Sequence, residues 1–138
     1  MTDVRVDVVS VQKADGEKTE FKYKVSGKYS FSEDKITLRY IEPEETGLGR
    51  VSTHLHLGGG CVTVRRFGDI KCEMKMEKGG PSEFRYRTPV GEMDMSAGLK
   101  FLGSSLSEKG GRLCLRYEMY LAGEKVSENE MNITICEI

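Results

Sequence analysis

Arg66 is the residue whose position first suggests chemistry. It continues the alternation of Val62 and Val64, so on a strand its side chain shares their apolar side, and Phe67-Gly68-Asp69 turns the chain just beyond it. A charge on an inward face beside a turn lies near the mouth of the core. There a guanidinium can anchor a carboxylate or phosphate in bidentate geometry. The commoner use of such an arginine is structural: it packs across the end of the core against a carboxylate or loop carbonyls, because a buried charge needs partners. Glu42 is a candidate partner. Tyr29, Tyr40, Tyr86 and Tyr117 all fall in apolar registers. Their hydroxyls are suited to an amphipathic ligand, and Arg66 with these four phenols is the expected binding set. The competing reading makes them core rings whose hydroxyls reach water at the rim.

Other constellations carry less. His54 and His56, two apart on a strand, put both rings on one face, as a metal pair requires. There is no third histidine, and the rings oppose the side that holds Leu55 and Leu57, so they are expected to face solvent. Cys61, Cys72, Cys114 and Cys136 contain no CxxC pair. Cys72 shares a register with Ile70, Met74 and Met76 and reads as a small core hydrophobe, and the same reading is extended to the set. No GxSxG elbow and no strand–GxxxxGK[ST]–helix unit occurs. Arg85 and Arg87 share an outward face, joined by Arg65 and Arg116 on other strands. They make a modest basic surface that an RNA or acidic protein partner would use, although the signs alternate along Lys71, Glu73, Lys75 and Glu77 as on an ordinary exterior.

The 138 residues suit one domain, 1–138, able to bury about two-thirds of its unfolded surface. Lys plus Arg is 21 and Asp plus Glu is 22, a net charge of -1, which excludes a strong global nucleic-acid footprint. No apolar run approaches the ~20 residues of a membrane helix. The N-terminal residues lack the apolar region of a secretory signal. The expectation is a cytoplasmic protein with reduced thiols and no cofactor.

Sixteen glycines and three prolines punctuate runs of period two, the strand signature. Val4-Val6-Val8 alternates and then slips to Val9-Val11, which suggests a bulge. Phe21-Tyr23-Val25, Tyr29-Phe31, Ile36-Leu38-Tyr40, Val51 to Leu57, Val62 to Arg66, Ile70 to Met76, Phe84 to Thr88, and Met93-Met95 follow, with a long loop over Glu42 to Arg50. Ala97 to Leu106 reads as an irregular strand. Glu108-Lys109-Gly110-Gly111 reads as a turn. Leu113 to Leu121 and Met131 to Ile135 close the list of alternating runs. The expectation is an all-β, antiparallel, up-and-down closed barrel of about eight to ten strands, because closure removes exposed edges. A two-sheet sandwich is the alternative, decided by whether the first and last strands pair.

Short pieces in order along the chain carry a family resemblance: Gly27-Lys28-Tyr29, Tyr40-Ile41-Glu42, Thr46-Gly47-Leu48, Arg66-Phe67-Gly68, Tyr86-Arg87-Thr88-Pro89-Val90-Gly91, Gly110-Gly111-Arg112-Leu113 with Tyr117, and Ser127-Glu128-Asn129 before Ile133. With these the chain resembles the YwiB-like group of small bacterial calycin-like (lipocalin-like) β-barrels, a domain of unknown function. The resemblance implies the barrel and a bacterial, cytoplasmic protein. It brings no catalytic residues and no ligand. The functional expectation is a non-catalytic barrel that binds a small amphipathic molecule inside. The alternative is an interaction module using Arg85, Arg87 and Arg116.

Overall fold

Alternation of apolar and polar residues forces one face of each strand inward, and ten strands satisfy this together. The computed structural model describes residues 1–138. The strands are β1 (Thr2–Ala14), β2 (Glu17–Phe31), β3 (Ile36–Ile41), β4 (Val51–Gly58), β5 (Cys61–Gly68), β6 (Cys72–Glu77), β7 (Ser82–Thr88), β8 (Gly91–Ser107), β9 (Gly110–Leu121) and β10 (Glu124–Glu137). A single 3-10 turn at Glu44–Thr46 lies in the β3–β4 loop. No helix is long and apolar enough to cross a membrane.

All ten strands form one antiparallel sheet in the order β6-β5-β4-β3-β2-β1-β10-β9-β8-β7. The first and last strands pair from Val4↔Glu137 to Lys13↔Glu128, which makes the architecture an up-and-down barrel and not a sandwich. Closure is nearly complete rather than complete. The seam falls between β6 and β7, where Lys71 and Arg87 exchange two backbone hydrogen bonds of 3.0 and 2.9 Å. The wall is therefore zipped where the chain's ends meet and pinned at one point in its middle.

The interior is a single apolar cluster, with Val6, Leu55, Val62, Met76 and Leu115 among the residues at 0% exposure. The phase slip in β1 is not a bulge. Its register with β2 and β10 is unbroken through Val9. Val4, Val6 and Val8 point into the core, and the same phase continues inward as Ser10, Gln12 and Ala14, which line an open cavity. The inward residues turn polar because the core ends there. The register shifts lie in β8, between Leu99 and Phe101, and in β10, between Lys125 and Ser127. Ala97 to Leu106 is thus an irregular strand, as expected. Gly110 and Gly111, expected in a turn, begin β9. Gly27 does not interrupt its strand. It permits close approach, since a Cβ there would lie 2.7 Å from the Arg39 carbonyl oxygen on β3.

Candidate functional site

One cross-strand row organises the upper end of the barrel. Register places Gly27, Tyr40, Thr53, Arg66 and Cys72 side by side on five consecutive strands. All belong to the inward phase, so the row brings two hydroxyls, a guanidinium and a thiol to one level. Glu42 follows Tyr40 by two residues and stays inward, because its N–H continues the ladder by donating to the Val51 carbonyl at 2.8 Å.

Glu42 is buried, with 6% exposure. Thr53 Oγ1 donates to its Oε1 at 2.7 Å and the Tyr23 hydroxyl donates to its Oε2 at 3.3 Å. The Tyr23 and Tyr40 hydroxyls lie 3.5 Å apart. The loop after Glu42 is braced. Arg50 N–H donates to Asp69 Oδ2 and Asp69 N–H donates to the Arg50 carbonyl, each at 3.0 Å, while Leu48 packs on the core.

Arg66 Nε is sealed from solvent and makes no hydrogen bond. Burial works against the guanidinium's charge, but Tyr117, Tyr40, Glu42 and Cys72 around it hold its pKa above the usual value. Of these only Glu42 is a carboxylate. Burial raises the phenols of Tyr23, Tyr40, Tyr86 and Tyr117, so each keeps its proton. Burial also raises the Cys72 thiol despite Arg66 beside it, which makes it an inert neighbour and not a nucleophile.

Above this row a cavity of about 330 Å³ opens at the end formed by the β1–β2, β7–β8 and β9–β10 turns. That is the small end of the ~300–1,000 Å³ typical of small-molecule sites. Arg66, Glu42, Tyr86, Tyr117 and Tyr23 line its floor, and Phe21, Leu48, Met93, Met95, Met119 and Met131 its walls. Four methionines make an adaptable apolar surface.

Of the expected set, Arg66, Tyr86 and Tyr117 meet in this cavity, and Tyr40 lies directly beneath through Tyr23. Tyr29 does not join them. It sits near the opposite end, where its hydroxyl donates to the Ser107 carbonyl at 2.7 Å and ties β2 to the end of β8. Sequence reasoning missed Tyr23, Thr53 and the methionine wall. Thr53 alternates with Val51 and Leu55, so its inward phase was visible, but its contact with Glu42 comes from the path of a loop.

The outer face binds its own charges. Arg85 pairs with Asp94 (3.2 Å) and Glu92 (3.5 Å), Arg87 with Glu92 (3.3 Å), Arg65 with Glu73 (2.9 Å) and Arg116 with Glu130 (4.0 Å). Arg116 also lies over the Phe101 ring, 4.9 Å from its centroid. Cys72 is buried, whereas Cys61, Cys114 and Cys136 are half-buried on the wall, so the core reading holds for Cys72 alone.

The His54 and His56 rings lie half-buried on the outer face, their centroids 6.5 Å apart. No group of three or more His, Cys, Asp or Glu side chains is arranged to hold a metal ion. Burial, then the cations of Arg39 and Arg65, lower the pKa of His54. Burial, then Lys35 and Arg65, lower that of His56. The unfolded chain therefore takes up these protons first, near pH 6.5. The stability involved is present above that pH and is lost as pH falls through the lowered folded values. The urea midpoint is expected to fall from pH 7 to pH 5, and the double variant His54→Gln/His56→Gln to show less of that fall. An equal fall in the double variant would show that the imidazoles do not contribute.

Comparison with known proteins agrees with the geometry. The family model described as Domain of unknown function (DUF1934) matches residues 6–133. The uncharacterized beta-barrel protein YwiB of Bacillus subtilis (strain 168) is 29% identical over 133 residues, which is 96% of this chain and 92% of that protein. The crystal structure of ywiB protein from Bacillus subtilis aligns with a TM-score of 0.86 at 27% identity, covering 99% of this chain and 92% of that one.

Proposed function

The chain belongs to the DUF1934 family, a domain of unknown function, and from its own geometry we propose that the upper mouth of the barrel binds a small amphipathic molecule without transforming it. The observation that carries this reading is Arg66: a guanidinium that lines a cavity with apolar walls and makes no hydrogen bond to a carboxylate, its Nε sealed from solvent and its outer nitrogens left to face the cavity. An anionic acceptor in the cavity would form charge-assisted hydrogen bonds with those outer nitrogens. The rim adds support. Ile41, Phe67, Val90, Met93, Leu121 and Val126 are exposed and all lie at or next to this end. Met93 and Val126 line the cavity itself and give it an apolar entry, whereas Phe67 packs against His54 on the outer face. Four free thiols suit a reducing compartment such as the cytoplasm.

Native mass spectrometry of freshly purified protein, beside the denatured protein, tests the reading. The expected result is a non-covalent mass excess that disappears on denaturation and is lost in Arg66→Met. A wild-type protein that carries no excess, and takes up no small amphiphile added at millimolar concentration, would overturn it.

A further inference from the structure

The cavity floor holds one cation and one anion that do not pair with each other. Arg66 takes part in no ion pair and its Nε is unpartnered. Glu42 is held by two hydroxyl donors, Thr53 and Tyr23, and not by Arg66. A carboxylate has about four acceptor positions, so two remain free, and Glu42 lines the cavity. Glu42 nonetheless lies near enough to favour the charge on Arg66.

This arrangement discriminates between ligand charges. A simple carboxylate would satisfy Arg66 and the Tyr86 and Tyr117 hydroxyls, but would enter against the Glu42 charge. A simple amine would satisfy Glu42 and be repelled by Arg66. Among charged molecules, one carrying both charges leaves neither group opposed and satisfies both. Resting on the reading of the mouth as a binding site, we propose that its ligand is a small zwitterion with an apolar body, of the hydrophobic α-amino acid class: carboxylate on Arg66, ammonium on Glu42, and side chain against the methionine wall.

The size and lining fit that class. A cavity of about 330 Å³ holds a single residue-sized molecule. Met93, Met95, Met119 and Met131 can repack around aliphatic or aromatic bodies, so the headgroup, and not the side chain, sets the selectivity.

Displacement of 1-anilinonaphthalene-8-sulfonate from the folded protein reads both levels. Dye uptake that Arg66→Met abolishes reports the mouth. Competitors are then L-leucine and L-phenylalanine, the des-amino analogue 4-methylpentanoate, and the des-carboxy analogue 3-methylbutylamine. The expected result is that leucine displaces dye at least about tenfold more effectively than either analogue, the scale of one hydrogen bond to a charged group. Glu42→Gln, which keeps an acceptor for Thr53, should erase the advantage over 4-methylpentanoate, each competitor being compared at the dye uptake that this variant itself shows. Displacement by 4-methylpentanoate equal to or better than leucine overturns the zwitterion and leaves the mouth as a binding site. Absence of dye uptake, with no competitor shifting the protein's amide NMR signals, overturns both.

Discussion

Glu42→Leu is expected to cost about 3–5 kcal/mol of folding stability, because three buried groups depend on that one carboxylate. Thr53 Oγ1 and the Tyr23 hydroxyl would each lose their acceptor. Arg66 would lose the only carboxylate among the groups that sustain its charge. A domain of this size is commonly stable by only about 5–15 kcal/mol, so the loss should be plain in urea denaturation. Arg66→Leu alone should cost less, since Glu42 would keep both hydroxyl donors and an unpartnered Nε would be removed. The two changes together should cost less than their sum, with a coupling of about 1–3 kcal/mol. Additive losses would show that the two charges do not support each other, and a Glu42→Leu protein as stable as the wild type would remove the carboxylate's structural role.

That coupling shows how far the sequence can be read. Arg66 was legible because period two is rigid: with Val62 and Val64 inward, Arg66 cannot face out without a bulge. Glu42 can be named from the sequence as a partner for Arg66 but not placed, because it falls in a loop beside a proline and acidic loops are ordinarily solvated. It is buried because its N–H bonds to Val51 and carries the ladder beyond the end of β3. No local pattern specifies that step. Tyr29 shows the opposite failure. Its inward phase was correct, but phase says nothing of height along the barrel. Register sets height, and register comes from the turns, which place Tyr29 opposite Leu38 and Tyr40 opposite Gly27. The four phenols were alike in sequence because they share a face, and they differ in the fold because they occupy two ends.

The slip from Val8 to Val9 holds a related lesson. Loss of alternation can mark a bulge, or it can mark the place where an inward face stops meeting hydrophobes and starts meeting a cavity. Ser10 and Gln12 belong to the second case. The true bulges, in β8 and β10, fall where glycine and serine had already blurred the pattern.

Gly110 and Gly111 look like turn residues in the sequence but begin β9, and their actual duty predicts the other large effect. Gly111→Ala is expected to cost about 3–5 kcal/mol and lower the melting temperature by roughly 10 °C. Gly111 has φ +138, a conformation that L side chains avoid, at a cost of about 1–3 kcal/mol. An added Cβ would also lie 1.9 Å from the Ser105 carbonyl oxygen on β8, so the β8–β9 ladder must open at its end. Gly110 is held in the same way on the other side, where a Cβ would lie 2.1 Å from the Ile135 carbonyl oxygen on β10. The pair thus lets β9 enter between two strands at closer range than any side chain permits. Gly80 supplies the control. Its φ is +142, close to that of Gly111, and nothing lies within 4 Å of an added Cβ, so Gly80→Ala should show backbone strain alone, about 1–3 kcal/mol. Thermal unfolding of the two variants separates the terms. Equal shifts would mean that backbone conformation accounts for both glycines. A much larger shift for Gly111→Ala would assign the difference to the tight approach of β8 and β9, at the end of the barrel away from the cavity, where dye uptake at the mouth should survive in whatever fraction remains folded.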